Sequence, residues 1–176
     1  QITRKTVDFL MEKGHTEIGF IGGTYHNPNS DKDEMDLRER VFRRYMEKQG
    51  LLKEQFVFHR RGFSVDTGYK LMKQAIEQLG DQLPTAFFIA ADPIAVGCLQ
   101  ALNEHGIAIP NRVSLVSINN ISVAKYVSPP LTTFHIDMRE ICKNGIQLLL
   151  EQVVEKRKLV KTLFIGSELM IRKSTN

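Results

Sequence analysis

Hydrophobic residues along the chain switch repeatedly between a helical period and a strand period. Apolar side chains recur every three or four positions in four segments, which predicts helices over about 1–13, 37–49, 64–79 and 92–105. Short apolar runs bounded by turn residues predict buried strands at EIGFIGG, FVFH, AFFIAA and SLVSIN. This alternation predicts an α/β fold with a mainly parallel sheet flanked by helices on both faces.

Two segments depart from this alternation. The residues TYHNPNSDKDEM, which follow the first predicted strand, are polar and rich in turn formers, and they predict a loop. After Asn120 a Pro-Pro break and a short strand lead to a further helix, which begins with a capping-box-like pair, Asp137 and Glu140. The tail TLFIGSELMIRKST predicts two short strands around Gly166. Such an excursion and return indicates a chain that crosses to a neighbouring subdomain and comes back.

The loops after the predicted strands carry the candidate binding residues. In an open α/β sheet the ligand binds at the carboxyl ends of the strands, so these loops should line one rim. They contain aromatic, charged and amide side chains, a mixture that suits a polar, ring-shaped small molecule. These side chains are Tyr25, His26, Arg61, Phe63, Asp92, Asn119 and Asn120. We also expect Asp92, which precedes Pro93, to cap the helix that begins there.

Length and cysteine usage limit the class of protein. The 176 residues suffice for one ordinary core, or for a domain with part of another. No apolar run approaches the roughly 18 to 20 residues of a membrane helix, so we expect no membrane association. The opening QITRKTVDFLMEKG has no initiating Met and no secretory pattern, and we expect a piece of a longer polypeptide. Cys98 and Cys142 lack metal-ligand spacing, which favours buried free thiols and a cytoplasmic location.

Motifs for nucleic-acid contact and for catalysis were weighed as alternatives. The net charge of +4 and the clusters RERVFRR and EKRKLVK invite a nucleic-acid hypothesis, but interleaved acids and helical periodicity favour solvated helix faces. The string SVAK lacks the partner motifs of penicillin-interacting enzymes, and GGTYHNPNS lacks the lysine of a P-loop. None of the five histidines lies at HExxH spacing. The sequence therefore predicts no enzyme, no cofactor and no metal site.

Several motifs together resemble one family. They are KGHTEIGFIGG, the Arg-x-x-x-Phe of RERVF, FSVDTGY, FFIAADPIAVGCLQALNEHGIAIPNRVSLVSINN, SPPLTTF and the terminal RKST. In this order and spacing they resemble the effector-binding region of the LacI/GalR family of bacterial transcription repressors. The resemblance covers nearly the whole chain. It implies two linked subdomains of periplasmic-binding-protein type that close on an effector, preceded by a DNA-binding helix-turn-helix.

The resemblance also implies a division of the chain. Residues 1–130 would form the C-terminal effector-binding subdomain, and residues 131–157 would supply a strand and a helix to an N-terminal subdomain that is partly absent. Residues 158–176 would return as strands to the C-terminal subdomain. The apolar face of the helix would then lack its partner, and it would pack between molecules or be displaced.

The family's effector-binding residues carry over one at a time. Arg38 matches an arginine that reaches the effector, with Arg40 as a near-register rival, and Phe63 matches an aromatic residue at the lip of the cleft that stacks on a sugar ring. Asp92 lies beside the position where many members carry an Asn-Asp pair, and Asn119 stands at the end of a strand where the family often has Asp. This chain departs from the family pattern in two further places: Ala91 stands where many members have Asn, and Val41 stands where Gly is usual. Each residue also has a plain alternative as a surface arginine, a core phenylalanine or a helix cap.

The implied function is effector sensing and dimerisation in a sugar-responsive repressor. A hexose or galactoside would close the cleft and change the affinity of the attached helix-turn-helix for operator DNA. A homodimer is implied because operator half-sites mirror a protein two-fold axis, and residues 93–105 and 123–128 would form its surface, with Cys98, Leu102 and Tyr126 in contact. Two alternatives stay open: a periplasmic sugar-binding component of a transporter, and a small enzyme of flavodoxin-like layout.

Overall fold

Seven strands form one mixed sheet in this computed structural model, which describes residues 1–29 and 32–176. In chain order the helices and strands are α1 (Ile2–Glu12), β1 (Ile18–Asn27), β2 (Lys32–Met35), α2 (Leu37–Lys48), β3 (Val57–Arg61), α3 (Val65–Leu79), β4 (Ala86–Ile89), α4 (Asp92–Glu104), β5 (Ser114–Asn119), β6 (Thr132–His135), α5 (Met138–Val153) and β7 (Glu168–Met170). The four helices and four strands predicted in the first two-thirds of the chain are all present.

The sheet is parallel except for two antiparallel strands, β2, which pairs with β1, and β7. Strands β3, β1, β4, β5 and β6 lie side by side in that order and run parallel, and β7 pairs antiparallel with β6. The connection from β1 to β3 moves one way across the sheet, and the connection from β3 to β4 returns the other way. Right-handed crossovers then place α2 on the face opposite α3 and α4. The predicted fold class, a mainly parallel sheet with helices on both faces, is confirmed.

Part of the predicted polar loop is a β-hairpin. Strand β1 continues to Asn27, and its last four residues pair antiparallel with β2, so that Tyr25 lies opposite Glu34. The prediction of a loop is wrong for these residues, because both arms hydrogen-bond to each other beyond the end of β4. Residues 30 and 31 of the predicted loop lie outside the described residues.

Strand β6 corrects the predicted division of the chain. It pairs with β5 on one side and β7 on the other, and Leu131 and Thr132 are fully buried. The prediction that residues 131–157 supply a strand to another subdomain is therefore wrong for the strand, because β6 belongs to this sheet, between β5 and β7. Helix α5 differs: none of its residues is buried, and Ile146, Leu149 and Val153 are 61–65% exposed.

The end of the chain packs between β5 and β6. The backbone of Ser174 accepts a hydrogen bond from the amide of Leu115 at 2.7 Å, and its hydroxyl accepts one from the amide of Thr132 at 2.8 Å. Ser174 is fully buried. Within residues 158–176, which the structure describes throughout, β7 is the single strand, so the prediction of two strands is wrong for one of them.

Helices α3 and α4 cross in very close contact. A Cβ added to Gly68 would lie 1.9 Å from the carbonyl oxygen of Ile94, and a Cβ added to Gly97 would lie 2.0 Å from the carbonyl oxygen of Val65. Real Cβ atoms do not approach backbone oxygens this closely. The pair of glycines therefore sets the distance between the two helices, and through α4 it sets the position of the junction that follows β4.

Candidate functional site

A cavity of about 510 Å³ opens at the carboxyl edge of the sheet. It lies next to the point where the order of the strands reverses, which is where open α/β sheets bind ligands. Its walls come from the starts of α1 and α2, the ends of β5 and β6 and the segment before β7, and include Arg38, Val41, Ile118, Asn119, Ile136 and Phe164. The structure thus brings together Arg38 and Asn119, two of the four predicted effector-binding residues. Phe63 and Asp92 do not line this cavity.

The guanidinium of Arg38 is held by three groups. Its Nε and Nη2 donate to the two carboxylate oxygens of Asp36, each at 2.7 Å, and Nη1 donates to the carbonyl oxygen of Ala90 at 2.7 Å. Nη2 also donates to the hydroxyl of Tyr25 at 3.0 Å. Four of the five N–H groups of the fork have partners among the described residues, which leaves one N–H on Nη1. Arg38 is therefore oriented before any ligand binds, and it retains one donor.

Asp36 is the anchor of this arrangement. It is the N-cap of α2, where its side chain accepts from the amide of Arg38 at 2.7 Å, and it is 3% exposed. Burial by itself would raise the pKa of Asp36, but hydrogen bonds and charge from Arg38 outweigh burial and lower it. The carboxylate thus stays ionised beside the arginine. The sequence signal for this role is a helix-capping Asp directly before α2.

Replacing Asp36 by Asn is expected to lower the free energy of unfolding at neutral pH by about 1–3 kcal/mol, because a buried charged hydrogen-bond acceptor is lost. The folded-state pKa of Asp36 lies below its ordinary 3.8. Its stabilisation is therefore complete above the ordinary value and is lost as the pH falls through the folded-state value. Denaturant unfolding over a pH series measures this, and the curves of Asp36→Asn and wild type should converge in acid. Asp33→Asn, an exposed carboxyl on β2, is the control, and equal effects of both changes would contradict the assignment.

Phe63 packs beside Arg38, although its own side chain does not line the cavity. Its ring centroid lies 4.6 Å from that of Tyr25, with the planes tilted by 32°, and 5.1 Å from the guanidinium carbon of Arg38. A Cβ on Gly23 would lie 2.8 Å from the Phe63 ring, so this position of the ring requires glycine on β1. The role of Tyr25 in positioning the arginine depends on the hairpin, which the sequence did not predict.

Asp92 has a structural role in this chain. It is fully buried and accepts hydrogen bonds from the hydroxyls of Ser117 and Thr133, the latter at 2.7 Å, and from the amide of Ile121 at 2.8 Å. Burial raises the pKa of Asp92, and these three donors oppose the rise. The N-cap of α4 is Ala91, which has no side-chain cap, so the prediction that Asp92 caps the helix is wrong. The carboxylate instead ties α4 to β5 and β6, and it does not face the cavity.

The two asparagines after β5 have different surroundings. Asn119 lines the cavity with a φ of 115°, and Asn120 follows with a φ of 51°. The side-chain oxygen of Asn120 accepts from Nη2 of Arg172 at 2.7 Å, and its Nδ2 lies 3.2 Å from Nδ1 of His135. Arg172 also donates to the carbonyl oxygen of Leu131 at 2.7 Å. Arg172 thus fixes the loop that presents Asn119, and the only sign of Arg172 in the sequence is its place in the terminal RKST motif.

The predicted dimer residues fall into two groups. Cys98 and Leu102 are fully buried, and the Sγ of Cys98 lies 3.5 Å from the carbonyl oxygen of Gly68 inside the contact between α3 and α4. Their side chains are therefore not presented to a partner in this structure. Tyr126 is 78% exposed. The prediction of a buried thiol is wrong for Cys142, because it lies on the unpacked helix α5 and is exposed.

Two kinds of feature are absent from residues 1–29 and 32–176, a cluster of metal ligands and a membrane-spanning helix. In these ranges no group of three or more His, Cys, Asp or Glu is arranged to hold a metal ion. None of the described helices combines the length and the hydropathy that crossing a bilayer requires.

Comparison with family models and with known sequences gives one consistent family. Residues 7–175 match the periplasmic binding protein-like domain. The chain is 71% identical over 176 residues to the HTH-type transcriptional regulator GanR of Bacillus subtilis. The aligned region covers all of this chain and 53% of that protein. It is 38% identical to the HTH-type transcriptional regulator GalR of Lacticaseibacillus casei, over 96% of this chain and 51% of that protein. The chain thus spans about half the length of the curated relatives it matches.

Solved structures agree with this assignment. The transcriptional regulator LacI of Bacillus cereus subsp. cytotoxis superposes with a TM-score of 0.81 at 26% identity, over 99% of this chain and 60% of that one. A LacI family regulator of Lactobacillus casei with bound sucrose has a TM-score of 0.79 at 22% identity, over 99% of this chain and 62% of that one, and shows the shared fold alone. These relatives are transcriptional regulators rather than enzymes. The chain therefore belongs to the periplasmic binding protein-like domain family, within the LacI/GalR group of transcriptional regulators.

Proposed function

We propose that this chain senses a saccharide effector in the cavity at the carboxyl edge of its sheet. The observation on which the proposal rests is the guanidinium of Arg38, which Asp36, Tyr25 and Ala90 hold at the cavity wall with one N–H unused. Asn119 adds an amide with both donor and acceptor groups. Sugar hydroxyls need donors and acceptors in fixed positions, and the apolar side chains Ile118 and Val41 suit the faces of a ring.

Saccharides are bound in solved structures that share this fold. Structures of the regulator from Lactobacillus casei contain sucrose and, in a second case, glucose. For this chain we propose a galactoside or a similar hexose. Phe63 stacks on Tyr25 beside Arg38 and would offer an aromatic face at the rim of the cavity. Asp92 is an indirect contributor in this proposal, since its hydrogen bonds hold the loop on which Asn119 lies.

Closure of the cavity would need a second wall. Helix α5 presents an exposed apolar face, which includes Ile146, Leu149 and Val153, and Phe164 at the cavity is 85% exposed. We propose that α5 packs on a further subdomain of a longer regulator, and that the effector stabilises the form in which both walls contact it. Allosteric coupling between two sites typically amounts to about 1–3 kcal/mol, and we expect a value of this order between effector and operator DNA.

Dimerisation would use the side of the molecule near α4. Tyr126 is 78% exposed and Val123 is 38% exposed on the turn after β5, and Val65 is 45% exposed at the start of α3. We propose that these side chains pack against a second copy of the chain, while Cys98 and Leu102 support the surface from beneath. The sequence relatives GanR and GalR are HTH-type regulators, so they do not favour a periplasmic component of a transporter. We place the regulator in the cytoplasm, where operator DNA is found.

Replacing Arg38 by Ala is expected to weaken effector binding about tenfold to hundredfold, because hydrogen bonds from a charged donor contribute about 1.5–3 kcal/mol. Titration calorimetry of the full-length regulator with hexoses and galactosides measures this. Arg40→Ala removes the same charge from the exposed side of α2 and should leave the affinity unchanged. The absence of heat with every saccharide would refute the effector class, and equal affinity of both variants would refute the role of Arg38.

A further inference from the structure

A second concave site lies between α1 and α2, outside the effector cavity. It is a recess of about 270 Å³ lined by Arg4, Val41, Arg44, Tyr45 and Lys48. Three of these five residues are cations, and no Asp or Glu belongs to this lining. The shared residue Val41 shows that the recess adjoins the effector cavity along α2, although its polar groups differ from those of the cavity.

The charges of this recess are not neutralised by ion pairs. Within residues 1–29 and 32–176, no carboxylate is recorded at ion-pair distance from Arg4, Arg44 or Lys48, whereas Lys53 and Lys70 pair with Glu17 and Asp66. A cation near the end of α2 has favourable dipole energy, which accounts for Lys48. The helix dipole gives no such reason for Arg44, one turn earlier. Like charges that share a recess repel each other, and a bound anion would relieve that repulsion.

Tyr45 forms the organised part of the recess. Its hydroxyl donates to the carboxylate of Asp8 at 2.6 Å, and its ring lies 5.8 Å from the guanidinium carbon of Arg4. Asp8 is thereby held at the far end of the Tyr45 side chain, and it offsets one of the three positive charges. Three cations against one carboxylate leave two positive charges.

We propose that this recess binds a small phosphate monoester. Such an ester carries a charge of about −1.5 to −2 at neutral pH, which matches the two uncompensated positive charges. The planar fork of an arginine fits phosphate oxygens with two parallel hydrogen bonds, and Arg4 and Arg44 approach from different helices. The volume of about 270 Å³ admits a phosphate with a short organic group. A recess of about 270 Å³ holds one phosphate group with a short substituent rather than the repeating backbone of a DNA duplex, so a small molecule is the expected ligand.

Calorimetric titration of the purified protein with glycerol 3-phosphate and with inorganic phosphate tests the proposal, with glycerol as the neutral comparison. We expect saturable binding of both phosphates at low salt, weaker binding at high salt, and none of glycerol. The double variant Arg44→Gln with Lys48→Gln should lower the affinity at least about tenfold, by analogy with the strength of charged hydrogen bonds. Arg44→Lys, which keeps the charge, should retain more of the affinity than Arg44→Gln.

A matched control separates the recess from general electrostatics. Lys70→Gln with Lys73→Gln removes the same charge from α3, where both lysines pair with carboxylates, and it should leave phosphate binding unchanged. Equal loss in both double variants, or absence of saturable binding, would overturn the proposal. If only Arg38→Ala abolished phosphate binding, the phosphate would lie in the effector cavity, and that result too would overturn the proposal. So would binding of a DNA duplex that depends on Arg44 and Lys48 while glycerol 3-phosphate fails to bind. The proposal does not depend on the effector assignment.

Discussion

Gly97→Ala is expected to lower the free energy of unfolding by about 3 kcal/mol or more. Overpacking a filled core costs about 1–3 kcal/mol when side chains can adjust. Here the added methyl group would meet the carbonyl oxygen of Val65 at 2.0 Å and the amide nitrogen of Tyr69 at 2.5 Å. Both are backbone atoms of α3, so relief requires the two helices to separate. Separation would open the contact that buries Cys98 and Leu102.

A second helical glycine provides the control for this experiment. Gly145 lies in α5, and a Cβ built there has no neighbouring atom within 4 Å. Gly145→Ala should therefore be neutral, or should stabilise the helix by up to about 1 kcal/mol through helix propensity. Denaturant unfolding of both variants measures the difference. If Gly97→Ala were as stable as Gly145→Ala, the close contact between α3 and α4 would be incorrect.

Asp92→Ala is expected to destabilise the protein by about 3–5 kcal/mol, the second large effect. Three donors from outside α4 would lose their acceptor at once, and two of them, the hydroxyls of Ser117 and Thr133, are fully buried. Each buried donor left without a partner costs about 1–3 kcal/mol. The change should also loosen the loop from Asn119 to Ile121, so the affinity for the effector should fall although Asp92 does not line the cavity.

An exposed aspartate in the first turn of another helix serves as the control, because it carries the same charge without being buried. Asp66 lies in the first turn of α3 and its side chain is 65% exposed, and it pairs with Lys70. Asp66→Ala should change the free energy of unfolding by no more than about 0.5 kcal/mol, as is usual for surface positions. Urea unfolding of both variants decides between these outcomes. Comparable stabilities would mean that Asp92 does not tie α4 to the neighbouring strands.

Local sequence patterns predicted most of the helices and strands correctly. Their signals are short in range: the apolar period of each segment and the capping residues at its start. Asp137, for example, caps α5 and accepts from the amide of Glu140 at 3.0 Å, as the capping-box pattern predicted. The hairpin of β1 and β2 escaped prediction because β2 is exposed throughout and has no apolar alternation. Strand β6 was misplaced because its partners β5 and β7 are not visible in its local sequence.

The sequence by itself determined the order and type of the main elements, the parallel sheet and the edge at which polar loops gather. Only the tertiary structure decided which of those polar side chains face the cavity. Asp92 turns inward because Ser117 and Thr133, which lie 25 and 41 residues away in the chain, bring it donors. Arg38 faces the cavity because Asp36, two residues before it, and Ala90, which directly follows β4, accept hydrogen bonds from its other donors. Apart from Asp36, the partners that orient these two side chains are distant from them in sequence, and no local period encodes such hydrogen bonds.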